Sequence, residues 1–159
     1  MADVAARLAE LGLALPAVAT PAGAYVPAVR TGSYVYTAGQ LPFVDGALPA
    51  TGKVGEGDGL VDPAAATEYA ATSALNALAA AASVLDSLDD VVRVVKVTGF
   101  VASDPAFSGQ PGVINGASEL LGRVFGDAGI HARSAVGVAV LPLDSPVEVE
   151  IVLEVRPLA

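Results

Sequence analysis

The chain has no cysteine and a single histidine, His131. The first absence excludes disulfides, thiolate metal sites and a thiol nucleophile together. One imidazole is too few for a histidine-rich metal centre, so a metal is not expected, and no other cofactor is expected either. Positive charge is scarce as well: eight Lys and Arg face seventeen Asp and Glu, a formal charge of −9. Proteins that bind nucleic acid displace phosphate counterions with clustered basic residues. Here those residues are scattered, and no nucleic-acid partner is expected. Long apolar runs are also missing. The alanine-rich stretch 70–85 is interrupted by Thr72, Ser73, Asn76 and Ser83, short of the roughly 20 residues that cross a bilayer. No succession of basic, apolar and cleavage segments marks a secretory signal. The expectation is a cytoplasmic protein with no membrane partner.

What the chain does have is small apolar side chains. Hydrophobic residues fill 53% of its 159 positions, much of that alanine and valine. This suffices for one domain, residues 1–159, with a true core, and it suggests apolar surface covered in an oligomer. Residues 4–13 place Val4, Leu8 and Leu11 at helical spacing, ending near Gly12 and Pro16. With the Pro/Ala-rich connector they form an N-terminal extension, residues 1–22. Residues 25–30 and 33–40 read as short strands joined at Thr31-Gly32, and Asp45-Gly46 reads as a tight hairpin turn. Residues 52–59, with Glu56 and Asp58, read as a flexible acidic loop.

Asp62 before Pro63 marks a helix start. Leu75, Leu78, Ala82 and Leu85 supply its apolar stripe, and a largely buried strand covers 91–101. A second long helix spans 111–125, with Val113, Ala117, Leu120, Leu121 and Val124 inward and Gly126 as its stop. Strands separated by two long helices indicate an α+β sheet with both helices on one face.

The run from His131 to Val140 and the alternating Val147-Glu148-Val149-Glu150 read as a closing β-hairpin. Arg133, Ala135, Gly137 and Ala139 share one face of its first strand. In the second, Val147, Val149, Ile151, Leu153 and Val155 oppose Glu148, Glu150 and Glu154. A guanidinium matches a carboxylate in two hydrogen bonds, and small neighbours leave room for a ligand. Arg133 with nearby glutamates therefore suits an anionic molecule with a water beside it. The plainer reading is an ion pair, since a simple hairpin centred on Leu143-Asp144 puts Arg133 near Glu154.

Ala-Arg-Ser-Ala-Val-Gly-Val at 132–138, the Leu141-Pro142 after it and the Val-Glu-Val-Glu strand resemble the Rid/YjgF family. These are the reactive intermediate deaminases, also called endoribonuclease L-PSP or chorismate-mutase-like proteins. The resemblance extends through Gly23 to Val29, Tyr36 to Pro42 and Val113 to Ala117, and covers roughly residues 20 to 156. It implies a chorismate-mutase-like fold: a mixed sheet with two long helices on one face, assembled as a homotrimer around a central barrel, with ligand clefts between subunits. The extension and the enlarged loop 52–59 resemble the longer branch of the family.

By that resemblance Arg133 grips a substrate carboxylate and Glu148 orients the hydrolytic water. Tyr25 walls the cleft, Gly39 and Gln40 shape its floor, and Asn115 lines it. Each has a plainer reading. Tyr25 can be ordinary packing, Asn115 a helix-start cap, Gly39-Gln40 a strand exit, and Glu148 or Glu150 an interface glutamate. His131 stands where the family commonly has proline, and is either a surface residue or an extra acid–base group. The implied activity is hydrolytic deamination of small enamine or imine carboxylates to ammonia and a 2-oxo acid. The alternative is a non-catalytic trimer that binds a small carboxylate metabolite. Negative charge disfavours RNA cleavage. Incomplete glycine patterns exclude a phosphate-binding loop, and the lack of a complete nucleophile elbow opposes a serine hydrolase.

Overall fold

The computed structural model describes residues 3–157. Its elements are α1 (Val4–Glu10), β1 (Ala28–Thr31), β2 (Tyr34–Thr37), α2 (Pro63–Ala82), β3 (Val91–Ala102), α3 (Gln110–Phe125), β4 (Ala132–Val138) and β5 (Val147–Val155). The strands form one mixed sheet in the order β1-β2-β5-β3-β4, in which only β3 and β4 run parallel. Helices α2 and α3 cover one face, so the α+β reading with two long helices on one side holds.

Local signals act where they stand. The Asp62 carboxylate accepts from the amides of Ala64 and Ala65 at 3.0 and 3.1 Å, with Pro63 in the first turn of α2. Asp45 and Gly46 both take positive φ, 50° and 81°, between Val44 and Ala47, which exchange two backbone hydrogen bonds. That conformation matches the right-handed twist of paired strands, and glycine adopts it at no steric cost. Along β5 the alternation is complete: Val147, Val149, Ile151, Leu153 and Val155 are buried against the helices.

Three expectations are corrected. First, β4 and β5 are not a hairpin. Helix α3 returns the chain to lie parallel beside β3, as a helical crossover does, and β5 then pairs with β3 on its other side. The linker bridges the end of β3: Ser103 donates to the Val138 carbonyl and Ala102 to that of Pro146. Leu143 and Asp144 do turn the chain, with φ of 57° and 58°, but the turn spans an intervening strand. Second, the buried stripe of α2 is alanine: Ala66, Ala70, Ala74, Ala77 and Ala81 are fully buried with Leu78, while Leu75, Ala82 and Leu85 are only partly so. Small side chains let α2 approach α3 closely, and a Cβ on Gly116 of α3 would overlap the Thr67 carbonyl of α2. Third, the loop 52–59 is anchored. Val54 is fully buried and its backbone bonds Ala102 and Asp104 beside the end of β3.

Helix α1 packs on the helical layer at the far end of α3, where Arg7 donates to the Arg123 carbonyl at 2.8 Å. Val4 and Leu8 are its buried residues. Among the described residues, the opposite face of the sheet carries no helix and exposes Val29, Tyr34, Tyr36 and Val136. Among the described residues, no helix is long and apolar enough to cross a membrane.

Candidate functional site

Arg133 lies at the free edge of the sheet, on β4, in register with Val97 of β3. Its side chain points to the helical face and meets the first half of α3. Nη1 donates to Asn115 Oδ1 at 2.8 Å and to Ser118 Oγ at 3.2 Å, and Nη2 donates to the Pro111 carbonyl at 3.2 Å. These acceptors are all neutral. No carboxylate pairs with Arg133 among the described residues, so the expected neighbour Glu154 is not its partner: β3 stands between β4 and β5. A guanidinium has five donors. Three are used here, which leaves two, one of them Nε–H, and a full positive charge on a half-exposed group. The site suits an anion.

Asn115, taken from the sequence as a cleft residue or a cap, is the closest of these partners. Ser118 and the Pro111 carbonyl were missed in the sequence. Ser118 also meets His131: its Oγ is 2.9 Å from Nε2, while His131 Nδ1 lies 2.6 Å from the Gly129 carbonyl. His131 thus belongs to the arginine's surroundings.

Glu148 occupies the other face of the sheet, opposite Phe100 on β3. Its carboxylate lies against the backbone of Gly39, where a Cβ would overlap it. Gln40 fixes that backbone by exchanging hydrogen bonds with Val149 at 2.8 and 3.0 Å. Gln40 itself is buried and its amide donates to the Ala38 carbonyl at 3.4 Å. Burial raises the Glu148 pKa above the usual carboxylate range, and the neighbouring charge of Glu150 adds to the rise. A carboxylate so shifted is a better proton acceptor than an exposed one.

Two groups therefore form in one chain: Arg133 with Asn115, Ser118 and His131, and Glu148 with Gly39 and Gln40. They sit on opposite faces of the sheet. The expectation of glutamates near Arg133 is not met within a single chain. Tyr25 joins neither by a hydroxyl hydrogen bond among the described residues; it is exposed, with its ring against Gly23. A groove of about 500 Å³ lies between α1 and the turn after α2, lined by Val4, Leu8, Leu85 and Leu88, and contains none of these residues. No group of three His, Asp or Glu side chains that could hold a metal occurs among the described residues.

The chain resembles proteins of several organisms along nearly its whole length. It is 44% identical over 154 residues to Protein TCP17 of Trypanosoma cruzi, covering 96% of this chain and 94% of that protein. The crystal structure of Atu1372 from Agrobacterium tumefaciens, of unknown function, superposes with a TM-score of 0.85 at 43% identity, covering 96% of this chain and 92% of that one. E. coli TdcF with bound serine matches with a TM-score of 0.57 at 29% identity, over 89% of this chain and 94% of TdcF. The sequence model described as "YjgF/chorismate_mutase-like, putative endoribonuclease" matches residues 5–155. With that match, and a mixed sheet carrying both helices on one face, the chain belongs to the YjgF/chorismate mutase-like family.

Proposed function

We propose that the protein hydrolyses small enamine or imine carboxylates, with Arg133 as the carboxylate anchor. The observation that carries this reading is the Arg133 guanidinium, held by three neutral acceptors with donors and charge to spare. The serine bound to the related TdcF, itself a small carboxylate, supports it. Water adds to the C=N carbon while Glu148 takes up one of its protons and passes it to the imine nitrogen, giving the carbinolamine. The carbinolamine then collapses: its hydroxyl proton moves to nitrogen, the C–N bond breaks with the electron pair on nitrogen, and ammonia leaves a 2-oxo acid. Imines are electrophilic by nature, so orientation and modest proton transfer suffice. Gly39 and Gln40 hold the Glu148 backbone region, Asn115 steadies Arg133, and Tyr25 forms an outer wall.

Arg133 and Glu148 face opposite sides of one sheet, so one cleft can hold both only if each comes from a different copy. A homotrimer that covers the open face provides this, and three clefts follow from threefold symmetry. The same separation favours a second reading, a trimer that binds a small carboxylate metabolite without turning it over. Freshly generated 2-iminopropanoate distinguishes the two. Release of ammonia and pyruvate above the spontaneous rate is expected of the deaminase. Carboxylate binding with no rate enhancement would leave the binder.

A further inference from the structure

We infer that His131 positions Arg133, acting through Ser118. This deepens the reading of Arg133 as a carboxylate anchor and rests on it. The order of donors and acceptors follows from chemistry. The Gly129 carbonyl only accepts, so His131 Nδ1 carries the proton of the neutral ring, and Nε2 is left as an acceptor. The Ser118 hydroxyl therefore donates to Nε2 at 2.9 Å. That commits its only hydrogen and turns a lone pair to Arg133 Nη1, which donates to it at 3.2 Å. The result is one directed chain, from Nη1 through Oγ and the imidazole to the Gly129 carbonyl.

Both ends of this chain are fixed by packing. Gly129 is buried, and a Cβ there would lie 2.5 Å from the Leu121 carbonyl of α3, so its own carbonyl sits at a set height on that helix. Ser118 is on α3, one turn after Asn115, the other Nη1 partner. Two neutral acceptors thus occupy both Nη1 hydrogens and hold that edge of the guanidinium toward the helix. Nε–H remains for a ligand. Without an acceptor at position 131, the Ser118 hydroxyl is free to turn to the carbonyl one helical turn back, as serines in helices do. Its lone pairs then no longer match Nη1. The device therefore needs a side-chain acceptor at position 131 within reach of Ser118.

The test uses His131→Phe, His131→Gln and Ser118→Ala in the full-length protein. Nitrogen-15 spectra of the Arg133 guanidinium report hindered rotation directly, whatever the protein's activity. Resolved Nη signals are expected in the wild type. They should merge in His131→Phe and Ser118→Ala, and be restored in His131→Gln, whose amide oxygen can accept from Ser118. Calorimetry with pyruvate as probe should show about a five- to tenfold loss of affinity in the first two variants, the value of roughly one net hydrogen bond. His131→Phe with resolved Nη signals and wild-type affinity would overturn the inference. A wild type that shows held Nη signals, lost in His131→Phe, but binds no pyruvate would support the positioning and refute the anchor.

Discussion

Arg133 and Glu148 illustrate how little a residue's identity says without its surroundings. Arg7, Arg30, Arg93, Arg133 and Arg156 all donate side-chain hydrogen bonds, yet Arg133 is the one that ties β4 to α3 through Asn115, Ser118 and Pro111. Lysine at this position keeps the charge but cannot reach Asn115 and Ser118 while presenting a second fork to a ligand. Arg133→Lys is therefore expected to weaken binding of a small carboxylate by roughly tenfold or more, and Arg133→Ala further. Unchanged affinity in calorimetry of both variants would remove the anchor. Glu148 is shifted in the opposite sense to a paired carboxylate. Its folded pKa lies above its unfolded value, so the folded state gains stability as pH falls through the folded value. That contribution is lost when the group ionises at higher pH. Glu148→Gln should then melt higher than the wild type at pH 7 while losing turnover by about 10²-fold, as loss of general-base assistance does. Glu150→Gln removes only the lesser cause of the shift. It should move the acid limb of the rate profile to lower pH and leave the plateau nearly intact. A limb that stays in place, or equal plateau losses in both variants, would deny Glu148 its separate role.

Elements were legible where their signal is local. Asp62-Pro63, Asp45-Gly46 and the alternation of Val147 to Val155 each act through near neighbours in the chain, and each formed as expected. The pairing of β4 was not legible in that way. Two adjacent alternating segments with a turn between them fit a hairpin, and they fit equally well two strands astride a third. Only the presence of α3 before β4 carries the parallel crossover. Ser118 escaped for a similar reason, being one serine on a helix, 13 residues from the histidine it bonds. The α2–α3 contact gives a direct test of what packing demands. A Cβ at Gly116 meets a backbone carbonyl of the facing helix, which cannot swing aside as a side chain can. Gly116→Ala should cost about 1–3 kcal/mol, the usual range for overpacking. Gly122→Ala, on the same helix with nothing near the added methyl, should instead gain up to about 1 kcal/mol from helix propensity. Equal effects in thermal denaturation would show that the two helices separate more easily than the close contact implies.

At the scale of the whole molecule, the sheet has one face under helices and one in the open. Val29, Tyr34, Tyr36 and Val136 are exposed on that open face, while Glu148, Glu150 and Glu154 along β5 make it acidic. The side-chain directions also divide the proposed chemistry, with the anion anchor on the covered side at the β4 edge and the proton acceptor on the open side. The sequence placed both residues by family resemblance, but their assignment to opposite faces required the β3–β4 pairing. Subunit mixing tests the consequence. Arg133→Ala and Glu148→Gln subunits are each expected to be inactive as pure assemblies. If each cleft takes its arginine from one copy and its glutamate from the next, a trimer of randomly mixed subunits rebuilds about one quarter of its clefts intact. Co-refolding the two variants in equal amounts should thus recover ammonia release toward about a quarter of the wild-type rate. Simple mixing of the folded proteins should recover it only as fast as subunits exchange. No recovery, with light scattering showing that mixed trimers had formed, would take Glu148 out of the reaction at Arg133. A monomer in light scattering at micromolar concentration would remove the shared cleft altogether.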